Sequence, residues 1–252
     1  MTPYIELHTS SAFSFLRAAS LPEVLIDRAA TLGYPAVALL DRDGVSGAPR
    51  FHKAALAAGL KPLIGAEITI EVSRDQGSAI GAQGTRSSRS PIPDPRSPRF
   101  FSLPVLCASQ EGWRNLCRLL SKMKLRAPKG EGALALHELD GFSTGLIAMP
   151  GRPLLRAERF GVGGLLDRIV GTFGRGHTFV ELQRHLQRDQ EDDNEALVCL
   201  AEAFRVPLVA TGGVGFATPD ERPLFDVLTS IREHVTLMRA GRRLAANAER
   251  YL

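Results

Sequence analysis

The chain has 252 residues, of which 44% are hydrophobic and 23% charged, and its 31 basic and 27 acidic residues give a net charge of +4. This composition predicts a globular protein with a sizeable core and excludes a disordered or collagen-like chain. No apolar run approaches the roughly 18 residues that a membrane span needs, and no signal peptide is visible. The mild positive charge permits contact with nucleic acid but does not require it.

The three cysteines, Cys107, Cys117 and Cys199, form no CxxC pair. An odd number of cysteines without that spacing argues against a disulfide framework and against a structural zinc site. Free thiols are typical of a reducing compartment. We therefore expect a cytoplasmic protein without membrane contact.

The first 72 residues alternate between strand and helix patterns. An apolar run ends at His8, and helical spacing over 21–32 follows the capping-box pattern Ser20-Leu-Pro-Glu23. A continuous apolar run over 36–40 predicts a strand buried on both faces, the pattern over 48–58 predicts a helix, and residues 63–72 are predicted to form the third strand. This order indicates βαβ units and a largely parallel sheet.

Residues 73–99 interrupt the alternation, because they are rich in Ser, Gly, Pro and Arg and poor in apolar residues. Such a segment cannot bury enough surface to offset its ordering entropy. We predict a disordered insertion there.

The remaining patterns complete a barrel. Strands are predicted over 101–108, 145–149, 178–182 and 206–211, with helices over 111–123, 165–172 and 193–204. Pro104 suggests an irregular or edge strand. Seven strands predict a closed or nearly closed β/α barrel over residues 1–216, with an open doubly wound sheet as the alternative.

Residues 217–252 predict a helical extension appended to this barrel. The pattern Thr218-Pro-Asp-Glu221 opens a helix that reaches about Glu233. A further basic helix is predicted over 241–251.

Function in a β/α barrel lies at the C-terminal ends of the strands. The side chains predicted there are His8, Asp41, Arg42, Asp43, Glu67, Glu181, Gln183 and Thr211. Only His8, Asp41 and Glu67 are plausible metal ligands among the first three strands, which is too few for a convergent site. Among the other histidines, His185 is the most interesting because it follows a strand end. The chain has no P-loop, no dinucleotide fingerprint and no nucleophile elbow.

A series of segments then carries a family likeness. It begins with Tyr4-Ile-Glu-Leu-His8 and Ala12-Phe-Ser-Phe-Leu16, and it continues over 32–41, 59–67, 111–118, 179–184, 207–211, 217–232 and 240–250. In this order the segments resemble the polymerase and histidinol phosphatase (PHP) domain of bacterial C-family DNA polymerase III alpha subunits, with the error-prone branch as the closest match. The likeness covers the chain except for the 73–99 insertion, and it implies a distorted seven-stranded PHP-type (β/α) barrel.

The resemblance also implies which ligands have been lost. Active members bind a cluster of metal ions at the barrel mouth and hydrolyse phosphoesters, and some serve as proofreading exonucleases. Carried over by position, only His8 and Glu67 remain as vestigial ligand positions, with Asp41 beside a lost one. The other positions fall at Ser10, Arg17, Arg42, Ser102, Arg152, Gly213 and Gly215.

We therefore expect no catalytic residue, no bound metal and no other cofactor. Arginine at three ligand positions would repel a cation. The expectation is that Arg17, Arg42 and Arg152 pair with Asp41, Asp43 and Glu67, so that ion pairs close the mouth. Zinc or manganese would be required only if the site were active.

Three functions remain open. The first is a non-catalytic PHP domain of an error-prone DNA polymerase, a scaffold or interaction module in replication or translesion repair whose partners are a polymerase core or other repair proteins. The parent family is that of DNA-directed DNA polymerases, but the chain alone is not expected to polymerise DNA, since it stops where the catalytic region would start.

The second is an active metal-dependent phosphoesterase or 3′–5′ exonuclease. The third is an adaptor that contacts DNA or a clamp electrostatically, and such contact would be weak and salt-sensitive. The arginines available for it are Arg86, Arg89, Arg96, Arg99, Arg239, Arg242, Arg243 and Arg250.

Overall fold

The computed structural model describes residues 4–72, 100–128, 130, 132–157 and 163–252. The predicted insertion at 73–99 lies outside the described residues and stays a prediction. The strands are β1 (Glu6–Thr9), β2 (Ala36–Arg42), β3 (Lys61–Glu71), β4 (Phe100–Cys107), β5 (Leu134–Ala135), β6 (Leu146–Ala148), β7 (Val180–Gln183) and β8 (Leu208–Thr211). The α-helices are α1 (Pro22–Thr31), α2 (Ala48–Ala57), α3 (Gln110–Arg126), α4 (Arg152–Ala157), α5 (Gly164–Phe173), α6 (Arg188–Phe204), α7 (Arg222–Arg232) and α8 (Leu237–Ala240).

Seven of these strands form a ring. One sheet has the order β1-β2-β3-β4-β6, and β7 pairs with β8 in a second sheet. Single parallel bridges join the two sheets at both ends, from Ala148 to Thr178 and from Val214 to Thr9. The predicted seven-stranded barrel is therefore confirmed, and the alternative of an open doubly wound sheet is not what the chain forms. The two-residue strand β5 pairs with β3 outside this ring and had no clear signal in the sequence.

Strand β4 reverses the direction of the sheet. The pairs β1–β2, β2–β3 and β7–β8 are parallel, as predicted, whereas β4 runs antiparallel to both β3 and β6. The prediction that Pro104 marks an irregular or edge strand is wrong, since β4 lies inside the sheet. Pro104 is accommodated there opposite Glu67, and its carbonyl accepts a hydrogen bond from the Met149 amide at 2.9 Å.

The core has one layer inside the barrel and another between barrel and helices. Along β2, Val37 and Leu39 pack with Leu25 and Phe51 of the surrounding helices. The alternate residues of β2 pack inside the barrel with Leu106 and Met149. This burial on both faces explains the uninterrupted apolar run of the strand.

The capping box predicted at Ser20 does not form. Helix α1 begins at Pro22, whose fixed φ suits a first helical turn. The Ser20 hydroxyl instead donates to Glu221 at 2.5 Å and accepts from the Ala217 amide at 2.7 Å. Ser20 therefore joins the first helix to the C-terminal part of the chain.

The basic helix predicted over 241–251 is also wrong. A single 3₁₀ turn, Gly241–Arg243, follows α8. The chain then returns to the barrel without helical structure, and Tyr251 forms a bridge with Phe216.

The helix predicted after Thr218 is confirmed by the turn Pro219–Glu221 and by α7. The division into a barrel and an extension at residue 216 stays a prediction. None of the described helices is long and apolar enough to cross a membrane.

Candidate functional site: an arginine-lined barrel mouth

A cavity of about 550 Å³ opens at the C-terminal ends of the strands. Five of the predicted strand-end side chains line it, namely His8, Arg42, Glu67, Glu181 and Gln183. The parallel strands β1, β2, β3 and β7 bring these residues together, because their carboxyl ends meet at one rim.

Arg42 and Glu67 form an ion pair on this rim. The Arg42 Nη1 atom lies 3.1 Å from Glu67 Oε1, and Arg42 Nε lies 3.4 Å from Asp43 Oδ2. Burial alone would raise the pKa of Glu67, but Arg42, followed by His8, lowers it below its usual value. The predicted pairing of Arg42 with Glu67 and Asp43 is thus present.

Asp41 has a different role from the one predicted. Its carboxylate accepts hydrogen bonds from the Ser11 amide at 2.8 Å, from the Ser11 hydroxyl at 2.9 Å and from the Ser14 hydroxyl at 2.8 Å. Burial raises the pKa of Asp41 against these bonds. The prediction that an arginine pairs with Asp41 is wrong, because these serine donors already surround its carboxylate. Asp41 anchors the loop between β1 and α1.

His8 is held in an ion pair with Glu181. The distance from His8 Nδ1 to Glu181 Oε1 is 2.7 Å, and the Thr211 hydroxyl donates to the same carboxylate oxygen at 2.6 Å. Burial would lower the pKa of His8, but Glu181 and then Glu67 raise it to about 9. At neutral pH the imidazole is therefore a cation that donates its Nδ1 proton to Glu181. A metal-binding histidine must be neutral.

The other two mapped arginines do not pair as predicted. Arg152 binds two carboxylates of α6, Asp189 at 2.8 Å and Asp193, because its position at the start of α4 faces that helix. Arg17 is exposed and has no ion pair among the described residues. The expected partners Asp41, Asp43 and Glu67 are bound by other groups.

The turn after β8 brings glycine where the resemblance maps two ligands. Gly213 has a φ of +54°, and a Cβ atom there would lie 2.5 Å from the Gln183 side chain. Arg250 reaches this turn from the end of the chain. Its Nε donates to the Gly213 carbonyl at 2.9 Å, and its guanidinium lies 5.7 Å from the centre of the Phe225 ring.

Sequence reasoning missed Arg250 as a residue of the mouth, and it also missed Arg156, Arg232, Arg242 and Arg243. The sequence placed Arg250 on a peripheral basic helix, and no local pattern marks a residue of the barrel mouth so far along the chain. Its role depends on the tertiary bridge between Tyr251 and Phe216.

His185 has a structural role. Its Nε2 atom lies 2.7 Å from the Gly212 carbonyl, and its Nδ1 atom lies 2.8 Å from Gln190 Nε2. These partners fix the neutral tautomer that carries its proton on Nε2. Burial lowers the pKa of His185, in agreement with that neutral form.

The described side chains do not fit a metal cluster. Among residues 4–72, 100–128, 130, 132–157 and 163–252, no three His, Cys, Asp or Glu side chains come together to hold a metal ion. Of the two vestigial positions, His8 is paired with Glu181 and Glu67 with Arg42. The mouth offers positive charge and hydrogen-bond donors where a metal centre requires free anionic or neutral ligands.

Comparison with known proteins agrees with this architecture. The model of the PHP domain family matches residues 6–188. The error-prone DNA polymerase of Mycolicibacterium paratuberculosis is 35% identical over 96% of this chain and 22% of its own length. The corresponding protein of Alkalilimnicola ehrlichii is 36% identical over 99% of this chain and 21% of its own length. The chain thus spans about a fifth of the length of these relatives.

A solved structure shares the fold. A candidate metal-dependent phosphoesterase from Bifidobacterium adolescentis superposes with a TM-score of 0.56 at 13% identity, covering 84% of this chain and 88% of that one. At this identity the similarity concerns the fold alone. The family match over residues 6–188 and the ring of seven strands lead to one conclusion: the chain belongs to the PHP domain family.

Proposed function

We propose that this chain is a non-catalytic PHP domain that acts as a scaffold or interaction module of an error-prone DNA polymerase, in DNA replication or translesion repair. The observation that carries the proposal is the ion pair between Arg42 and Glu67 at 3.1 Å. The resemblance implies that active relatives use the residue at position 67 as a metal ligand. In this chain the Glu67 carboxylate is instead paired with the guanidinium of Arg42.

The charge of the mouth supports the same proposal. His8 is a cation paired with Glu181, and Arg250 adds a positive charge near Glu67. A divalent metal ion entering this space would meet fixed positive charges at close range, where repulsion is strong. The mouth is therefore proposed to bind no metal and to hydrolyse no phosphodiester.

Metal content and hydrolysis test the proposal together. The protein is dialysed without chelator, analysed for zinc and manganese, and assayed on a phosphodiester and on the 3′ end of DNA with each metal added. We expect substoichiometric metal and no metal-dependent hydrolysis. Stoichiometric metal, together with hydrolysis that Glu67→Gln removes, would establish the alternative of an active phosphoesterase or exonuclease.

The interaction role is supported by an apolar face on α7. Leu224, Val227 and Ile231 recur at helical spacing on this helix and are exposed, and Leu237 and Met238 of α8 are exposed as well. In the relatives, the matched region is joined to about four times its own length of further chain. We propose that the polymerase core of such a protein covers this face.

A further inference from the structure

The barrel mouth carries far more positive than negative charge. Among the described residues, eight arginines line the cavity, whereas its acidic lining consists of Glu67 and Glu181. The arginines come from three sides: the ends of the first strands, helices α4 and α7, and the segment that returns after α8. Positive charge thus surrounds the opening.

Part of this charge has no counterpart in the protein. Arg42 and Arg152 are paired with carboxylates, as described above. In the described part of the chain, Arg17, Arg242 and Arg243 have no ion pair. Arg250 donates its Nε proton to a backbone carbonyl, which leaves its charge without a carboxylate in contact.

Some of these guanidinium groups lie within each other's electrostatic fields, namely Arg17 with Arg42 and Arg232, and Arg250 with Arg232. Although the Arg17 side chain reaches solvent, partial desolvation by the surrounding protein lowers its pKa, and Arg42 and Arg232 lower it further. Burial likewise lowers the pKa of Arg250, with Glu67 opposing and Arg232 adding to the effect. Repulsion between these like charges costs free energy, and an anion between them would offset that cost.

We propose that the mouth binds a phosphate-bearing anion through Arg17, Arg242, Arg243 and Arg250, without a metal ion. A guanidinium group binds phosphate oxygens through paired hydrogen bonds. Four such groups offer more positive charge and more donors than a single carboxylate could satisfy. The inference rests on the proposed function in one respect, since arginine here supplies the positive charge that metal ions would supply in an active site.

The lining indicates that the phosphate group is recognised and not a base. Phe225 is the aromatic residue among the described lining side chains, and Arg250 already lies over its ring. Stacking platforms for bases need exposed aromatic faces. A free phosphate compound and the terminal phosphate of a nucleic acid strand share the required chemistry.

The experiment uses the whole chain in the presence of EDTA, with inorganic phosphate as the probe and calorimetry at constant ionic strength as the readout. We expect binding that the double variant Arg242→Gln, Arg243→Gln weakens about tenfold or more. The matched control is Arg114→Gln, Arg118→Gln, which removes two exposed charges of α3 outside the cavity and should change affinity by less than about twofold.

Two oligonucleotides, with and without a 5′-phosphate, distinguish the sources of the ligand. Preference for the phosphorylated strand supports a strand end, and equal binding of both strands alongside tighter inorganic phosphate supports a free compound. Absence of phosphate binding in EDTA overturns the inference, whether or not binding appears when EDTA is left out, and so does equal weakening by both double variants. Stoichiometric metal with hydrolysis, accompanied by phosphate binding that survives EDTA, would overturn the proposed function while leaving this inference intact.

Discussion

Arg42 and Glu67 are register partners on the adjacent parallel strands β2 and β3, and their side chains meet at 3.1 Å. Because register partners on adjacent parallel strands point to the same side of the sheet, an arginine at position 42 lies beside the carboxylate of Glu67 by backbone geometry. The same register lets Arg42 reach the Thr69 hydroxyl at 3.1 Å. The pair is thus a consequence of the barrel itself.

The variant Arg42→Gln should be less stable than the unmodified protein by about 2 kcal/mol at neutral pH, because it leaves a largely buried carboxylate without its partner. The pKa of Glu67 is depressed in the folded state, so this contribution is complete above the ordinary glutamate pKa and is lost as the pH falls through the folded value. Urea unfolding at pH 7 and in acid measures both effects.

Arg50→Gln is the matched control for this prediction. Arg50 also binds a glutamate in two contacts, Glu23 at 2.6 and 2.9 Å, but both partners are exposed. Solvent screens such a pair, so the control should leave the stability nearly unchanged. If the two variants lose equal stability at pH 7, the Arg42–Glu67 pair has no special role in the mouth.

The sequence predicted most of the barrel but only part of its mouth. The alternation of strand and helix patterns, together with the rule that β/α-barrel sites lie at the C-terminal ends of strands, predicted positions such as His8, Glu67 and Glu181. These residues do line the cavity. The predicted ion-pair partners of Asp41 and Arg152 were wrong. The observed partners depend on a loop, for Asp41, and on helix packing, for Arg152, and no local sequence pattern encodes either. The reversal at β4 and the return of Arg250 to the mouth were missed for the same reason: both depend on tertiary contacts.

The ion pair between His8 and Glu181 should make stability depend on pH in the alkaline range. The pKa of His8 is raised from 6.5 to about 9 in the folded protein, so its contribution is complete below pH 6.5 and is lost as the pH rises through 9. We expect the free energy of unfolding to fall over this window by about 2 kcal/mol relative to His8→Gln, whose side chain does not titrate.

Denaturant unfolding from pH 6 to 10 measures this difference. His52→Gln is the control, because His52 is exposed on α2 and away from the mouth. Its pH profile should parallel that of the unmodified protein. A profile of His8→Gln that also parallels the unmodified protein would show that His8 carries no charge in the folded state.

Gly65 should tolerate no side chain, because the antiparallel strand β4 approaches it closely. A Cβ atom at this position would lie 2.0 Å from the Val105 carbonyl oxygen, which is backbone and cannot rotate away. We expect Gly65→Ala to lower the free energy of unfolding by about 3 kcal/mol or more. Gly171→Ala in α5 is the control, since nothing lies within 4 Å of its Cβ position and alanine favours the helix. Thermal unfolding compares the two, and equal melting temperatures would contradict the close approach of β4.

The exposed apolar face of α7 should bind a polymerase core. We expect the chain to associate with the error-prone DNA polymerase of Alkalilimnicola ehrlichii from which the matched region has been deleted, because burying exposed apolar side chains on a partner is favourable. The double variant Val227→Asp, Ile231→Asp should weaken this association about tenfold or more, since it would place charges inside the contact. Both side chains are about half exposed, so the fold should persist.

The control for this face is Leu56→Asp, Leu125→Asp, which introduces the same charges at exposed leucines of α2 and α3. It should leave the association within about twofold of the unmodified chain, because those helices lie outside the proposed contact. Surface plasmon resonance at physiological salt compares the variants. If both double variants weaken the association equally, the added negative charge alone explains the effect. If neither double variant changes the association, the polymerase core binds another surface of the barrel.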